Sequence, residues 1–316
     1  MEFKLASILE GVKNVAVAGH VNPDGDCTGS SMGLFLYMKE QFPQIAVDVY
    51  LEKIPASYHI LQDTDQIKQI APKDQSYDLF ICVDCDENRL GFSAPLFHQA
   101  KKTLCVDHHV SNGSQADVKY IMPDASSTCE LVYTMLEAKR ITRYAAEAIY
   151  LGIAHDTGVF RYPSTSPTTL EIVAELLRKG VNGSEITTKT FFEKTFAQNQ
   201  ILGKALFESR LILDKRCIVT VVSQQDMRTF GIEKHDLDGI VSLLQMTQGV
   251  AVAIFLYELQ EQQYKISLRS TDQVDVSIVG QHFGGGGHVR ASGITMTGSS
   301  REIIEQLSEQ ILKQLS

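Results

Sequence analysis

From the amino terminus to Gly180, short apolar runs rich in β-branched residues alternate with longer stretches of helical period. That is the pattern of βα units feeding a parallel sheet. The apolar runs predict strands over residues 14–18, 45–51, 78–83 and 103–106. Helical spacing predicts helices over 30–41, 127–140, 143–153 and 164–179, the last opened by Ser and Thr and stopped at Gly180. After Gly180 the chain turns polar (VNGSEITTKTFFEKTFAQNQ), and a domain junction is expected there. Beyond it come strand-like runs over 217–223, 250–259 and 264–268, a glycine run at 284–287, and an amphipathic helix over 300–315. The expected class is α/β: a parallel-sheet domain with helices on both faces over 1–183, a linker over 184–204, and a smaller α+β domain over 205–316. No internal repeat or low-complexity segment competes with that division.

Length agrees, since 316 residues with 44% hydrophobic and 21% charged positions are too many for one compact core. No apolar run approaches the roughly 18 to 20 residues of a membrane span, and MEFKLASILEGVK lacks a signal-peptide core, so a cytoplasmic protein without membrane partners is expected. Six cysteines without the regular spacing of a disulfide scaffold predict reduced thiols. A net charge of −9 argues against tracking along a long nucleic acid, which requires many cationic side chains against phosphates. It leaves a short anionic substrate open, because carboxylates that hold cations make a site locally positive.

Chemistry concentrates where apolar elements end. His20-Val-Asn-Pro-Asp24-Gly-Asp26 follows the first predicted strand, with Pro23 and Gly25 expected to stop it continuing as strand or helix. Taken alone, such a turn is more often solvated or a helix cap. The second cluster is DLFICVD, ending in Asp84, and the third is TLCVDHH, delivering Asp107, His108 and His109; a fourth, HDTG, places His155 and Asp156 after an apolar helical run. Ligands of open α/β sheets bind at the carboxyl ends of strands, so four such clusters are hard to explain as independent accidents. Carboxylates with a few imidazoles suit two divalent cations, Mn2+ first and Mg2+ second, in a hydrolytic two-metal site. Cys82-Val-Asp-Cys85 is a single CxxC, and the alternation of a buried strand accounts for both thiols.

In the carboxyl half, Gly284-Gly285-Gly286-Gly287-His288-Val-Arg290 combines backbone that can approach an anion with an imidazole and a guanidinium, and reads as an anion-binding loop. Arg269, at the end of a predicted strand, supplies another candidate phosphate contact.

HVNPDGD, VDCD, VDHH, HDTGVFRY and GGGGHVRASG, in that order and over nearly the whole chain, resemble the DHH phosphoesterase family, in its nanoRNase-type branch. The resemblance implies hydrolysis of short RNA or DNA oligonucleotides to nucleoside monophosphates, with linear dinucleotides and 3′-phosphoadenosine 5′-phosphate as related substrates; it is compatible with a homodimer. It implies one cation on His20, Asp24 and Asp84 and another on Asp26, Asp84, His108 and Asp156, with His109 at the scissile phosphate and Asp107 orienting the histidines. Arg269, Gly285, Gly286, Gly287, His288 and Arg290 would hold the nucleotide. This chain departs from the pattern at Cys27 and Thr28, where relatives commonly carry Ala and Ile and where the pattern places no ligand. The spacing from Asp84 to Arg89 is one residue short, which leaves Asp86 as an alternative bridge, though Asp84 ends the apolar run. Within the same fold a pyrophosphatase or polyphosphatase is the rival activity; outside the enzymes, the rival is a nucleotide-sensing module without turnover.

Overall fold

A computed structural model describes residues 3–73 and 75–315 as two compact units, which divide between Glu193 and Lys194. The division falls inside the stretch expected as a linker, which is largely helical on both sides of it.

The amino-terminal unit holds β1 (Asn14–Ala18), α1 (Gly25–Gln41), β2 (Ala46–Tyr50), β3 (Leu79–Val83), α2 (Ala94–Gln99), β4 (Thr103–Asp107) and β5 (Val118–Ile121). After them come α3 (Thr128–Met135), α4 (Arg143–Asp156), α5 (Pro167–Arg178) and α6 (Gly183–Thr187), which runs into a π-helical turn at Thr188–Phe192. The five strands form one all-parallel sheet in the order β2-β1-β3-β4-β5. Period-two alternation splits each strand between two cores. Val15, Val17, Ile81, Val83, Leu104 and Val106 face the layer of α1, α3 and α4, while Ala16, Ala18, Phe80, Cys82 and Cys105 meet Leu90, Leu96 and Phe97 on the other face.

α1 begins at Gly25, five residues earlier than the apolar spacing suggests, because Asp24 caps it by accepting from the Asp26 and Cys27 amides. The segment through Pro23 and Asp24 is neither strand nor helix, as expected, but Gly25 does not extend it. Gly25 instead opens the helix, and it is glycine because a Cβ there would lie 2.3 Å from the His155 ring. One turn on, a Cβ at Gly29 would lie 2.5 Å from the Ala148 carbonyl of α4. Small residues at this i, i+4 spacing let the two helices approach backbone to backbone, and the residues of α1 from Gly25 through Met38 are all buried. α3 stops at Met135, short of the expected residue 140, where the buried Leu136 turns extended. β5 and α2 escaped the periodicity reading because four and six residues are too few to show a period.

The carboxyl-terminal unit comprises α7 (Phe196–Phe207), β6 (Arg210–Ile212), β7 (Cys217–Val222), α8 (Gln224–Phe230), α9 (Ile240–Gln245), β8 (Val252–Gln260), β9 (Gln263–Ser270), α10 (Val276–His282), β10 (Gly286–His288), β11 (Ala291–Thr297) and α11 (Ser300–Leu315). Its six-stranded sheet runs β10-β11-β9-β8-β7-β6, antiparallel except where β7 meets β8. The glycine run is not a free loop. Residues 286–288 pair with β11, and Cβ atoms at Gly285 and Gly287 would lie 2.3 and 2.2 Å from the Gly293 and Ala291 carbonyls, so hairpin closure demands glycine there. Among the described residues no helix is long and apolar enough to cross a membrane.

Candidate metal centre

Four chain segments converge at the carboxyl ends of β1, β3 and β4 and at the ends of α1 and α4. Asp84 follows β3 in the left-handed region (φ 60°), a conformation uncommon for a non-glycine residue and one that re-aims its carboxylate. Its amide donates to the Val106 carbonyl at 3.0 Å, and Thr128 Oγ1 donates to its Oδ1 at 3.0 Å. The two oxygens face different neighbours. Oδ2 lies 3.4 Å from His20 Nε2, while Oδ1 lies 3.8 Å from His108 Nε2 and 3.7 Å from His109 Nδ1.

On the His20 side, Nδ1 of the ring is tied to the Val21 carbonyl at 2.9 Å, so Nε2 points to Asp84 and, at 3.7 Å, to Asp24. On the other side, His108 Nε2 lies 3.0 Å from Asp156 and 3.9 Å from Asp26. Asp26 is fully buried at the start of α3, where the Thr128 and Cys129 amides donate to its carboxylate at 2.6 and 2.9 Å. Asp107 organises the turn after β4: its Oδ1 accepts from the His108 and His109 amides and sits 2.7 Å from His109 Nδ1, while Asn112 donates to Oδ2.

Electrostatics test whether this donor set calls for cations. Burial, then the charges of Asp26, Asp24 and Asp156, push the Asp84 carboxyl well above its ordinary range. Burial and Asp156 push Asp26 up to about 6. Burial disfavours the imidazolium of His20, yet Asp24 and Cys27 outweigh it and hold its pKa at about 11; His108, against Asp156 and Asp26, reaches about 9 in the same way. Without metal, protons are drawn to the cluster to offset crowded carboxylates. Divalent ions displace such protons and supply the missing positive charge, so the residues present fit a metal centre. Among the described residues, ligand atoms that could share an ion fall into three overlapping groups: His20, Cys27 and Asp84; Asp26, His108 and Asp156; and Asp84, Asp107, His108 and His109.

The sequence-predicted residues His20, Asp24, Asp26, Asp84, Asp107, His108, His109 and Asp156 thus lie together. Asp86, the alternative bridge, caps the turn Glu87–Arg89 through the Asn88 amide at 3.0 Å and joins none of these groups. Cys82 and Cys85 are buried with sulfurs 3.6 Å apart, and also join none. In the other unit, His288 and Arg290 are exposed on the β10–β11 hairpin, where Arg290 donates to the Thr271 carbonyl, and Arg269 on β9 donates to the Leu268 carbonyl at 3.0 Å.

Sequence reasoning missed Thr128, the α3 amides and Asn112, and noted Cys27 only as a position without a ligand, whereas its sulfur lies with His20 and Asp84. It noticed His155 without a role: the ring packs on Gly25 and bonds Thr190 Oγ1 at 2.9 Å and Tyr58 OH at 3.3 Å. The run Ser127-Thr-Cys-Glu130 carried a helix-start signal, but nothing local showed that its amides would receive Asp26.

The model of the DHH family, N-terminal domain, matches residues 14–153, and that of the DHHA1 domain matches residues 214–315. The chain is 27% identical to the "bifunctional oligoribonuclease and PAP phosphatase NrnA" of Thermus thermophilus, with 98% of this chain and 91% of the relative aligned. It is 24% identical to the protein of the same description from Bacillus subtilis, over 94% and 93%. In structure it resembles an exopolyphosphatase-related protein from Bacteroides fragilis, with a TM-score of 0.89 and 24% identity over 98% of this chain and 94% of the other. With both domains matched in order and a clustered set of Asp and His side chains within the first, the chain belongs to the DHH phosphoesterase family, in its nanoRNase-type branch.

Proposed function

We propose that this protein uses two divalent cations to hydrolyse oligonucleotides of a few residues to nucleoside monophosphates, and that it also acts on linear dinucleotides and 3′-phosphoadenosine 5′-phosphate. The observation that carries the reading is Asp84, a buried carboxylate with one oxygen toward His20 and the other toward His108. A carboxylate shared by two cations needs that disposition. His20, Asp24 and Asp84 would hold one ion, and Asp26, Asp84, His108 and Asp156 the other; manganese suits this donor set best, with magnesium second. Such a pair supplies, when bound, an activated water and positive charge for the phosphoryl oxygens.

The remaining work falls to side chains. Asp107 fixes the tautomer and orientation of His109, which contacts the scissile phosphate and donates to the charge that develops there. In the carboxyl-terminal unit, Arg269, His288, Arg290 and the amides of Gly285, Gly286 and Gly287 take the nucleotide. A chain with net charge −9 gains little from a long strand, which favours short substrates. A cytoplasmic site of action goes with that substrate class. The two relatives described as oligoribonucleases and PAP phosphatases, aligned over most of both chains, support this reading over a pyrophosphatase.

The test is a manganese-supplemented assay of a dinucleotide, a pentanucleotide, 3′-phosphoadenosine 5′-phosphate and pyrophosphate. Turnover of the first three is expected. Turnover of pyrophosphate alone would replace this reading with the rival one, and nucleotide binding without any turnover would make the protein a sensor.

A further inference from the structure

We propose that the Cys27 sulfur is a ligand of the cation on the His20 side of Asp84. This subsite then offers nitrogen, oxygen and sulfur donors and selects borderline, thiophilic divalent ions such as zinc, cobalt(II) or iron(II) over magnesium. The inference rests on the two-cation reading and deepens it at one of its two sites.

Ligand atoms of His20, Cys27 and Asp84 all lie within 4.8 Å of one another, and the three residues are 5%, 0% and 2% exposed. Because Nδ1 of His20 is bound to the Val21 carbonyl, Nε2 is the ring atom aimed into this buried group. Cys27 stands in the first turn of α1, and its sulfur fills the place of a missing side chain: a Cβ on Gly19 would lie 2.3 Å from Sγ. Glycine at the end of β1 is therefore what admits a sulfur to the strand end. The contact of the sulfur with the His20 carbonyl is a long 3.9 Å. A tetrahedral ion with sulfur at about 2.3 Å and nitrogen at about 2.0 Å keeps those donors under roughly 4 Å apart. Small side-chain rotations close that gap.

The neighbouring carboxylate, Asp24, is 58% exposed and spends Oδ1 on capping α1. Cys27 is thus the buried neighbour of His20 and Asp24 the exposed one. Across Asp84, the group of Asp26, His108 and Asp156 presents oxygen and nitrogen alone. The two subsites differ in softness, so one is suited to manganese or magnesium and the other to a thiophilic ion. As the sulfur–metal bond forms, the thiol proton leaves to solvent.

Cobalt(II) titration of metal-free protein reads this directly, because sulfur ligation produces charge-transfer absorption in the near ultraviolet. Wild type should bind two cobalt ions and develop the band with one of them. Cys27→Ala and Cys27→Ser should lose the band, keep the second ion, and bind zinc about tenfold or more weakly at the first site with magnesium binding unchanged. Cys82→Ser with Cys85→Ser should keep the band. Cadmium NMR of wild type tests the same point without substitution, one strongly deshielded signal being expected. Two bound cobalt ions without a band, a band that survives Cys27→Ala, or cadmium signals only in the oxygen and nitrogen range would overturn the sulfur ligand and leave the two-cation reading standing. Wild type that binds no cobalt would overturn both.

Discussion

At the carboxyl ends of β1, β3 and β4 the chain drives charged groups into the interior, whereas at the β10–β11 hairpin it leaves them in water. Asp26, Asp84 and Asp107 are at most 2% exposed, come from different segments, and are crowded by one another's charge. His288 and Arg290 are exposed and two residues apart. A buried cluster of like charges is costly and persists only when something opposite in sign compensates it. An exposed pair costs little and is tuned by what it meets. Substitutions in the first region should therefore change metal content, catalysis and stability together, and substitutions in the second should change substrate affinity alone.

Asp84→Asn should have the largest effect. Asn tolerates the left-handed backbone but cannot bridge two cations, so metal content and turnover should both collapse, activity by at least about 10³-fold. The metal-free variant should be more stable than metal-free wild type, because a carboxyl that burial and the charges of Asp26, Asp24 and Asp156 force to take up a proton on folding is replaced by a group that is already neutral. Metal analysis, turnover and melting temperature measure the three parts; a metal-free variant less stable than wild type would mean that charge crowding is not what the cations relieve.

His109→Ala separates chemistry from metal within the buried region. Metal content should stay near wild type while the single-turnover rate falls about 10²- to 10³-fold, the usual loss for one donor to developing charge. Parallel loss of metal and rate would make His109 a ligand.

At the hairpin, Arg290→Ala and His288→Ala should each raise KM about tenfold, near 1.4 kcal/mol, with metal content and melting temperature unchanged. Steady-state kinetics on a dinucleotide against a strand of about twenty nucleotides, at fixed salt, checks this and whether the preference for short substrates erodes.

The smallest effect is a pH slope. His20 and His108 have folded pKa values near 11 and 9, above the unfolded 6.5, so their stabilisation is complete below pH 6.5 and is lost as pH rises through those values. Asp26, raised to about 6 from 3.8, retains its proton when folded, and that contribution disappears as pH rises through 6. Below pH 6.5 this is offset by His155, which burial holds down at about 4 and which therefore gains stability as pH rises; metal-free protein should thus lose melting temperature mainly from about pH 6.5 towards 11, and added manganese should flatten the slope by replacing the protons. His108→Asn should flatten it without metal; an unchanged slope would place its origin outside the cluster.

The sequence by itself determined the layers and the chemical inventory. Val15, Val17, Ile81 and Val83 alternate with Ala16, Ala18, Phe80 and Cys82, and period two is a local property of a buried strand. His20, Asp84, Asp107 and His108 were legible because each follows an apolar run, and the ends of parallel strands are necessarily neighbours. Only the tertiary structure decided what those side chains do to one another. That Asp84 turns one oxygen toward His20 and the other toward His108 depends on a left-handed residue stabilised by Thr128, 44 positions away. That residue 25 must be glycine depends on the His155 ring of α4, that Asp26 is held depends on amides more than a hundred residues on, and that Cys27 reaches the cluster depends on the missing side chain of Gly19. Hydrophobic period is written into neighbouring residues, whereas ligand geometry is a product of packing between segments distant in the chain, which no local pattern encodes.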